Sequence, residues 1–183
     1  MTLARACGVV INGVEGLVVD IEAYLSQGLP GMAIVGLPDT AVGEARDRVR
    51  AAVQNSELQW PSERRITVGL SPASVHKRGA SLDLGIALSI LSAHSQIPEM
   101  SKTIVIGELA LDGHLRPVSG ILSIAMACQH SGRQLMLPAL NASEAAQLPD
   151  FPVYPVQHLK QVCAHFLKQG GFKRQVQQYK NQP

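Results

Sequence analysis

The alternation of apolar and polar residues divides the chain into a β-rich N-terminal segment and a longer remainder in which strands and helices follow one another. Two apolar runs, residues 4–11 and 14–25, are separated by Asn12-Gly13, a dipeptide typical of two-residue hairpin turns. In the second run apolar and polar positions alternate, which predicts a strand with one buried and one solvated face. This segment predicts an N-terminal β-hairpin.

Helical spacing begins after Pro38, a residue that ends the preceding strand. Between residues 41 and 55 apolar side chains recur at intervals of three and four, which predicts an amphipathic helix capped by Asp39 or Thr40. The outer face of this helix carries most of the local charge, on Glu44, Arg46, Asp47, Arg48 and Arg50.

A strand over residues 66–70 runs into a polar, basic loop and then into an apolar helix that is predicted to begin at Ser81. Ser81 is placed to cap this helix, with Asp83 in its first turn. The loop carries Lys77 and Arg78, and the free N–H groups of a helix start favour anions. The pattern fits an anion-binding loop and also a plain connection with solvated charges.

Strands and helices alternate through the rest of the chain. The predicted elements are strands over 103–111, 114–118, 134–137 and 152–156, and helices over 121–130, 142–148 (capped by Asn141) and 156–167. Antiparallel strands followed by alternating strands and helices predict an α+β fold, with a mixed sheet, an N-terminal β-hairpin and covering helices.

Composition excludes several classes of protein. Of 183 residues, 46% are hydrophobic and 16% charged, as in a folded domain with a real core. Three well-separated cysteines in apolar surroundings predict reduced core residues, with no disulfide and no metal site. No apolar run is long enough to cross a membrane, and we expect a cytoplasmic protein.

Motifs of common catalytic sites are missing from the sequence. It contains no GxxxxGK[ST] phosphate loop, no HExxH and no GxSxG elbow. We therefore expect no cofactor in this part of the protein.

Four blocks, in this order along the chain, carry a family resemblance: GLPDTAVGEARDRVRAAV, RITVGLSPASVHKRGASLDLGIALSIL, IGELALDGHLRPVSG and LMLPALNASEAA. They resemble the N-terminal domain of the ComM/YifB proteins, bacterial AAA+ ATPases often labelled magnesium chelatase-like. The resemblance implies the fold of the Lon protease proteolytic domain, a ribosomal-protein domain 2-like superfold. It further implies that residues 1–169 form this domain and that residues 170–183 lead to an AAA+ motor absent from this sequence.

The resemblance also implies a function. ComM-type proteins are associated with natural transformation, as hexameric helicases that drive branch migration. This implies that single-stranded or branched DNA and further copies of the protein are the partners, with ATP and Mg²⁺ bound by the motor.

The Lon resemblance allows a test for peptidase activity. It places Ser81 at the position of the nucleophile and Leu122 at the position of the lysine base. A leucine cannot accept a proton, and no lysine lies between Lys102 and Lys160. We therefore expect no catalysis by this fragment; a Lon-like serine peptidase remnant and an anion- or nucleotide-binding module at residues 77–81 are the alternatives.

Basic residues are the remaining candidates for a site. The net charge of +2 is small, but Arg46, Arg48, Arg50, Lys77 and Arg78 lie close together in the sequence. Arginine and lysine bind phosphates with little demand for base sequence, which suits a motor that moves along any DNA. The same residues could instead contact a neighbouring subunit or remain solvated.

Overall fold

The predicted hairpin is present as two long antiparallel strands, β1 (Leu3–Asn12) and β2 (Glu15–Ser26), joined at the Asn12–Glu15 pair. The structure, a computed structural model, describes residues 2–73 and 80–167. Strand β3 (Gly31–Val35) pairs in parallel with β4 (Arg65–Ser71), which pairs antiparallel with β2. The order β1-β2-β4-β3 confirms a mixed sheet.

Helix α1 (Asp39–Asn55) makes the crossover between the parallel strands β3 and β4. It begins directly after Pro38, which occupies the cap position predicted for Asp39 or Thr40, so that part of the prediction is wrong. Its inner residues Val49, Ala52 and Val53 are fully buried, as the three-four spacing predicts.

Helix α2 (Asp83–Ala93) is buried along its whole length and packs on β1 and β2. Its sequence is apolar all round, which is the pattern of a helix enclosed by other elements.

The second half of the chain builds two further small sheets. Strands β5 (Thr103–Val105), β8 (Gln134–Pro138) and β9 (Val153–Val156) are parallel, in the order β5-β8-β9. Strands β6 (Glu108–Leu109) and β7 (Leu115–Arg116) form a short antiparallel pair. The helices are α3 (Ile121–Ser131), α4 (Ala142–Ala145) and α5 (Leu159–Leu167).

Two sequence predictions in this half need correction, one in the extent of a strand and one in the contact of a cap residue. The strand predicted over residues 103–111 is interrupted at Gly107, because both backbone groups of Gly107 bond to the start of α2, at Ser81 O and Leu84 N. Asn141 occupies the cap position of α4, as predicted, but its side chain makes no cap hydrogen bond. Its side-chain amide instead bonds both backbone groups of Val118, at 2.9 Å each. In both cases a tertiary contact replaces the hydrogen bonding that the local sequence pattern predicts.

A glycine sets the distance between the hairpin and α3. A Cβ atom on Gly16 would lie 2.7 Å from the carbonyl oxygen of Ser123 and 2.9 Å from the Cβ of Ala127. Only a residue without a side chain permits this approach of backbone to backbone. Within the described ranges, every helix is too short or too polar to reach across a bilayer.

Candidate nucleic-acid interface

The three arginines of α1 point in two directions. Arg46 and Arg50 lie one turn apart on the exposed face, whereas Arg48 is turned toward α2 and its side chain is only 24% exposed. The three residues were predicted as one group, and the structure places them in two environments.

Arg48 forms a forked ion pair with Asp83, the first residue of α2. Its Nε donates to Asp83 Oδ2 at 2.7 Å and its Nη2 to Oδ1 at 3.1 Å. The Asp83 side chain is 2% exposed, and its Oδ2 also accepts the backbone N–H of Leu109 at 3.1 Å. These three donors to the carboxylate all come from outside its own helix.

Burial and charge act in opposite directions on this pair. Burial raises the pKa of the Asp83 carboxyl, while the hydrogen bonds and charge of Arg48 act to lower it. The hydrogen bond to Asp83 raises the pKa of the Arg48 guanidinium. Arg48 therefore compensates a buried carboxylate, and its charge is already engaged within the molecule.

Arg46 and Arg50 border a cavity of about 130 Å³ that we call the Trp60 pocket. It lies between α1, the start of β3 and the turn that precedes β4. Its wall includes Met32, Arg46, Arg50, Trp60, Ser62 and Arg64. No acidic side chain lines it in the part of the chain that the structure describes.

The three arginines of the pocket are weakly neutralised. Arg50 forms no salt bridge with any described residue, and Arg46 reaches only its neighbour Asp47, at a long 3.4 Å. Arg64 donates from Nε and Nη2 to the backbone carbonyls of Ser26 and Leu25, at 3.4 and 3.2 Å. These carbonyls position Arg64 without cancelling its charge.

The start of α2 offers little to an anion. The N–H groups of Asp83 and Leu84 bond to the carbonyls of Ala80 and Gly107, and the Asp83 carboxylate adds a negative charge there. Lys77 and Arg78 lie outside the described residues. The anion-binding alternative at residues 77–81 therefore gains no support from the described end of the loop.

Ser81 does not cap α2, so that prediction is wrong. The cap position belongs to Leu82 and has no side-chain cap hydrogen bond, because backbone carbonyls already satisfy the first amides. Leu122, at the position of the lysine base, lies on α3 with 36% of its surface exposed. Its aliphatic side chain cannot serve as a base.

The three cysteine thiols are buried and hard to ionise. Cys7, Cys128 and Cys163 are buried and free, and burial raises the pKa of their thiols to about 11, 12 and 12. Among the described residues, no three His, Cys, Asp or Glu side chains are grouped so as to hold a metal ion.

Sequence reasoning missed the Arg48–Asp83 pair and the contributions of Trp60 and Arg64. One signal for the pair was available: Asp83 is the only charged residue in an otherwise apolar helix, and a buried carboxylate requires a partner. No local pattern links residues 46 and 50 to residues 60 and 64.

Together the fold and the site define an α+β domain with a mixed sheet and an exposed, arginine-lined pocket. Residues 21–141 match the family model described as Subunit ChlI of Mg-chelatase, and the chain belongs to this family.

Its relatives include competence protein ComM of Haemophilus influenzae, YifB of Escherichia coli and an uncharacterized protein of Mycobacterium tuberculosis. Their identities to the chain are 41%, 40% and 42%, over 88%, 83% and 88% of the chain. The chain spans only 32%, 30% and 33% of their lengths. A more distant relative, the peroxisomal Lon protease homolog 2 of Caenorhabditis elegans, is 28% identical over 78% of the chain and 19% of its own length.

Proposed function

We propose that this chain is a non-catalytic, Lon-like domain of a ComM/YifB-type AAA+ protein, and that it contacts DNA phosphates through the outer face of α1. The observation that carries the proposal is the exposure of Arg46 and Arg50 without strong neutralising partners. Exposed guanidinium groups without a close carboxylate bind phosphates and displace the counterions that surround the nucleic acid.

The similar proteins support the type of protein and the domain fold named in this proposal. One relative is named as a competence protein, and the Lon relative supports the Lon-like superfold. In this proposal ATP and Mg²⁺ act in a motor outside these residues, in a hexameric helicase for natural transformation.

The residue at the position of the base argues against a peptidase role, although Lon proteases are among the more distant relatives. The position of the base carries Leu122, and Ser81 lies on the approach to a helix whose first charged group is a carboxylate. Such a carboxylate would disfavour the negative charge that develops during acyl transfer.

The test is fluorescence-anisotropy binding of the 183-residue chain to single-stranded, duplex and forked DNA at two salt concentrations. We expect binding that weakens with salt, and a double variant Arg46→Gln/Arg50→Gln whose log–log salt slope is smaller by roughly 1.4 on a single strand. Arg116→Gln is the matched control, because Arg116 is an exposed arginine on β7, outside the pocket.

Absence of binding at low salt would contradict the proposal. An assembly role would then be favoured, because Leu122 and Met126 are exposed apolar residues on α3, and Met126 shares a cavity with the still more exposed Val14 of the hairpin turn. Sedimentation velocity would measure the resulting association.

A further inference from the structure

The Trp60 pocket combines two kinds of group that recognise different parts of one ligand. Arg46, Arg50 and Arg64 offer guanidinium N–H groups, and Trp60 offers a half-buried indole at the same cavity. Two of the five N–H groups of Arg64 are used by backbone carbonyls, which leaves three for a ligand.

The charge of the pocket selects an anion. Its lining contains three arginines and, among the described residues, no carboxylate. Among the described residues, the acidic partner of Arg46 is Asp47, whose Oδ1 lies 3.4 Å from the Arg46 Nε. A guanidinium without a strong ion pair is best satisfied by a phosphate, which can accept from two N–H groups at once.

The size and shape of the pocket restrict the ligand further. A volume of about 130 Å³ is roughly four times the share of one water in the liquid, which suits a phosphate group or part of a base. The stacked bases of a duplex lie inside its backbone and cannot reach a concave site. A single strand can turn an unstacked base toward an aromatic ring.

We infer that the Trp60 pocket binds single-stranded nucleic acid, with a phosphate between Arg46 and Arg50 and an adjacent base against Trp60. The inference rests on the proposed DNA contact and names the form of nucleic acid that this site takes. Arg64, positioned by the carbonyls of Leu25 and Ser26, provides the third cationic group at the base of the pocket.

Trp60 is the only tryptophan of the chain, so its fluorescence reports on the pocket without any substitution. The experiment titrates the 183-residue chain with an oligothymidylate, with the same strand annealed to its complement, and with inorganic phosphate. Anisotropy of a labelled strand records total binding in parallel. We expect quenching of Trp60 by the single strand at the concentrations at which anisotropy rises, with weaker effects of the duplex.

Substitutions at Trp60 and Arg50 distinguish a loss of base stacking from a loss of folding. Trp60→Leu should weaken single-strand binding by about 5- to 150-fold, the range for losing one base–aromatic contact, whereas Trp60→Phe should retain most of the affinity. Arg50→Gln, in which Trp60 remains, should reduce both quenching and affinity. Arg116→Gln should change neither.

The outcomes distinguish this inference from the proposed function. Binding of the single-stranded DNA with unchanged Trp60 fluorescence, or with an affinity equal to that for the duplex, would overturn the inference. The proposed DNA contact would not be affected by either result. Quenching by inorganic phosphate with no added effect of the strand would make the pocket a site for a free anion and would also overturn it. No binding of any DNA would overturn the proposed function itself.

Discussion

The inner and outer sides of α1 carry the same residue type in opposite roles. On the inner side Arg48 is held in a forked ion pair with buried Asp83. On the outer side Arg46 and Arg50 are exposed around the Trp60 pocket, and neither has a close carboxylate partner among the residues that the structure describes. Two residues of separation along a helix, about 200° of rotation, are enough to produce this difference.

The comparison shows that an arginine can bind a ligand only if its charge is not already paired within the protein. Asp83 loses most of its hydration in the core and is compensated by Arg48 and the N–H of Leu109. The Arg48 guanidinium therefore contributes to folding, while Arg46 and Arg50 contribute little to folding and remain available to a ligand.

The largest effect on stability should come from breaking the ion pair between Arg48 and Asp83. Arg48→Met leaves the Asp83 carboxylate buried without its cation, and we expect a loss of about 3 kcal/mol in the free energy of unfolding. Chemical denaturation at pH 7 measures it, with Arg46→Met as the control on the outer face. Arg48→Met/Asp83→Leu should recover most of the loss, since it removes both charges; equal stability of the Arg48→Met variant and the parent would contradict this account.

The Arg48→Met loss should depend on pH. Without Arg48, burial acts with less opposition and raises the pKa of Asp83 further above its value in the unfolded chain. The protonated carboxyl is favoured in the folded state, so its contribution is fully present below the unfolded pKa, about 3.9. It is lost as pH rises through the folded pKa. The gap in stability between parent and variant should thus widen from pH 4 to pH 7, and a constant gap would exclude Asp83 as the cause.

An intermediate effect should come from packing without charge. In Gly16→Ala the new methyl group meets the Ser123 carbonyl oxygen, so the hairpin and α3 must separate, at a cost of about 1 to 3 kcal/mol. Gly69→Ala is the matched control, because a Cβ at Gly69 meets no atom within 4 Å. Thermal unfolding of both variants provides the comparison; equal midpoints would show that α3 adapts without strain.

The smallest effect on stability should come from the outer face. Arg46→Gln/Arg50→Gln should change the free energy of unfolding by less than about 0.5 kcal/mol, as for other exposed positions. Denaturant unfolding beside the Arg48→Met variant tests this directly. A loss comparable to that of Arg48→Met would place these arginines in the structural framework and remove the contrast between the two sides.

Local sequence patterns predicted elements better than their ends. The hairpin at Asn12 and the amphipathic helix α1 are confirmed, because turn chemistry and helical periodicity act over a few residues. The cap predicted at Ser81 lies one residue later, at Leu82, and Asn141 holds its predicted cap position without a side-chain cap hydrogen bond. The Leu84 amide at the start of α2 bonds the distant carbonyl of Gly107, and the Asn141 side chain bonds Val118. Both contacts depend on residues far along the chain.

The sequence by itself determined the α+β class, the aliphatic core and the family, since these follow from periodicity, composition and ordered blocks of residues. Only the tertiary structure decided which arginines are engaged and which are free. Equivalent charges along α1 become different when one of them meets the buried carboxylate that begins α2. The Trp60 pocket likewise exists only where β3, α1 and the turn before β4 come together, because its polar groups are brought into contact by folding and not by spacing.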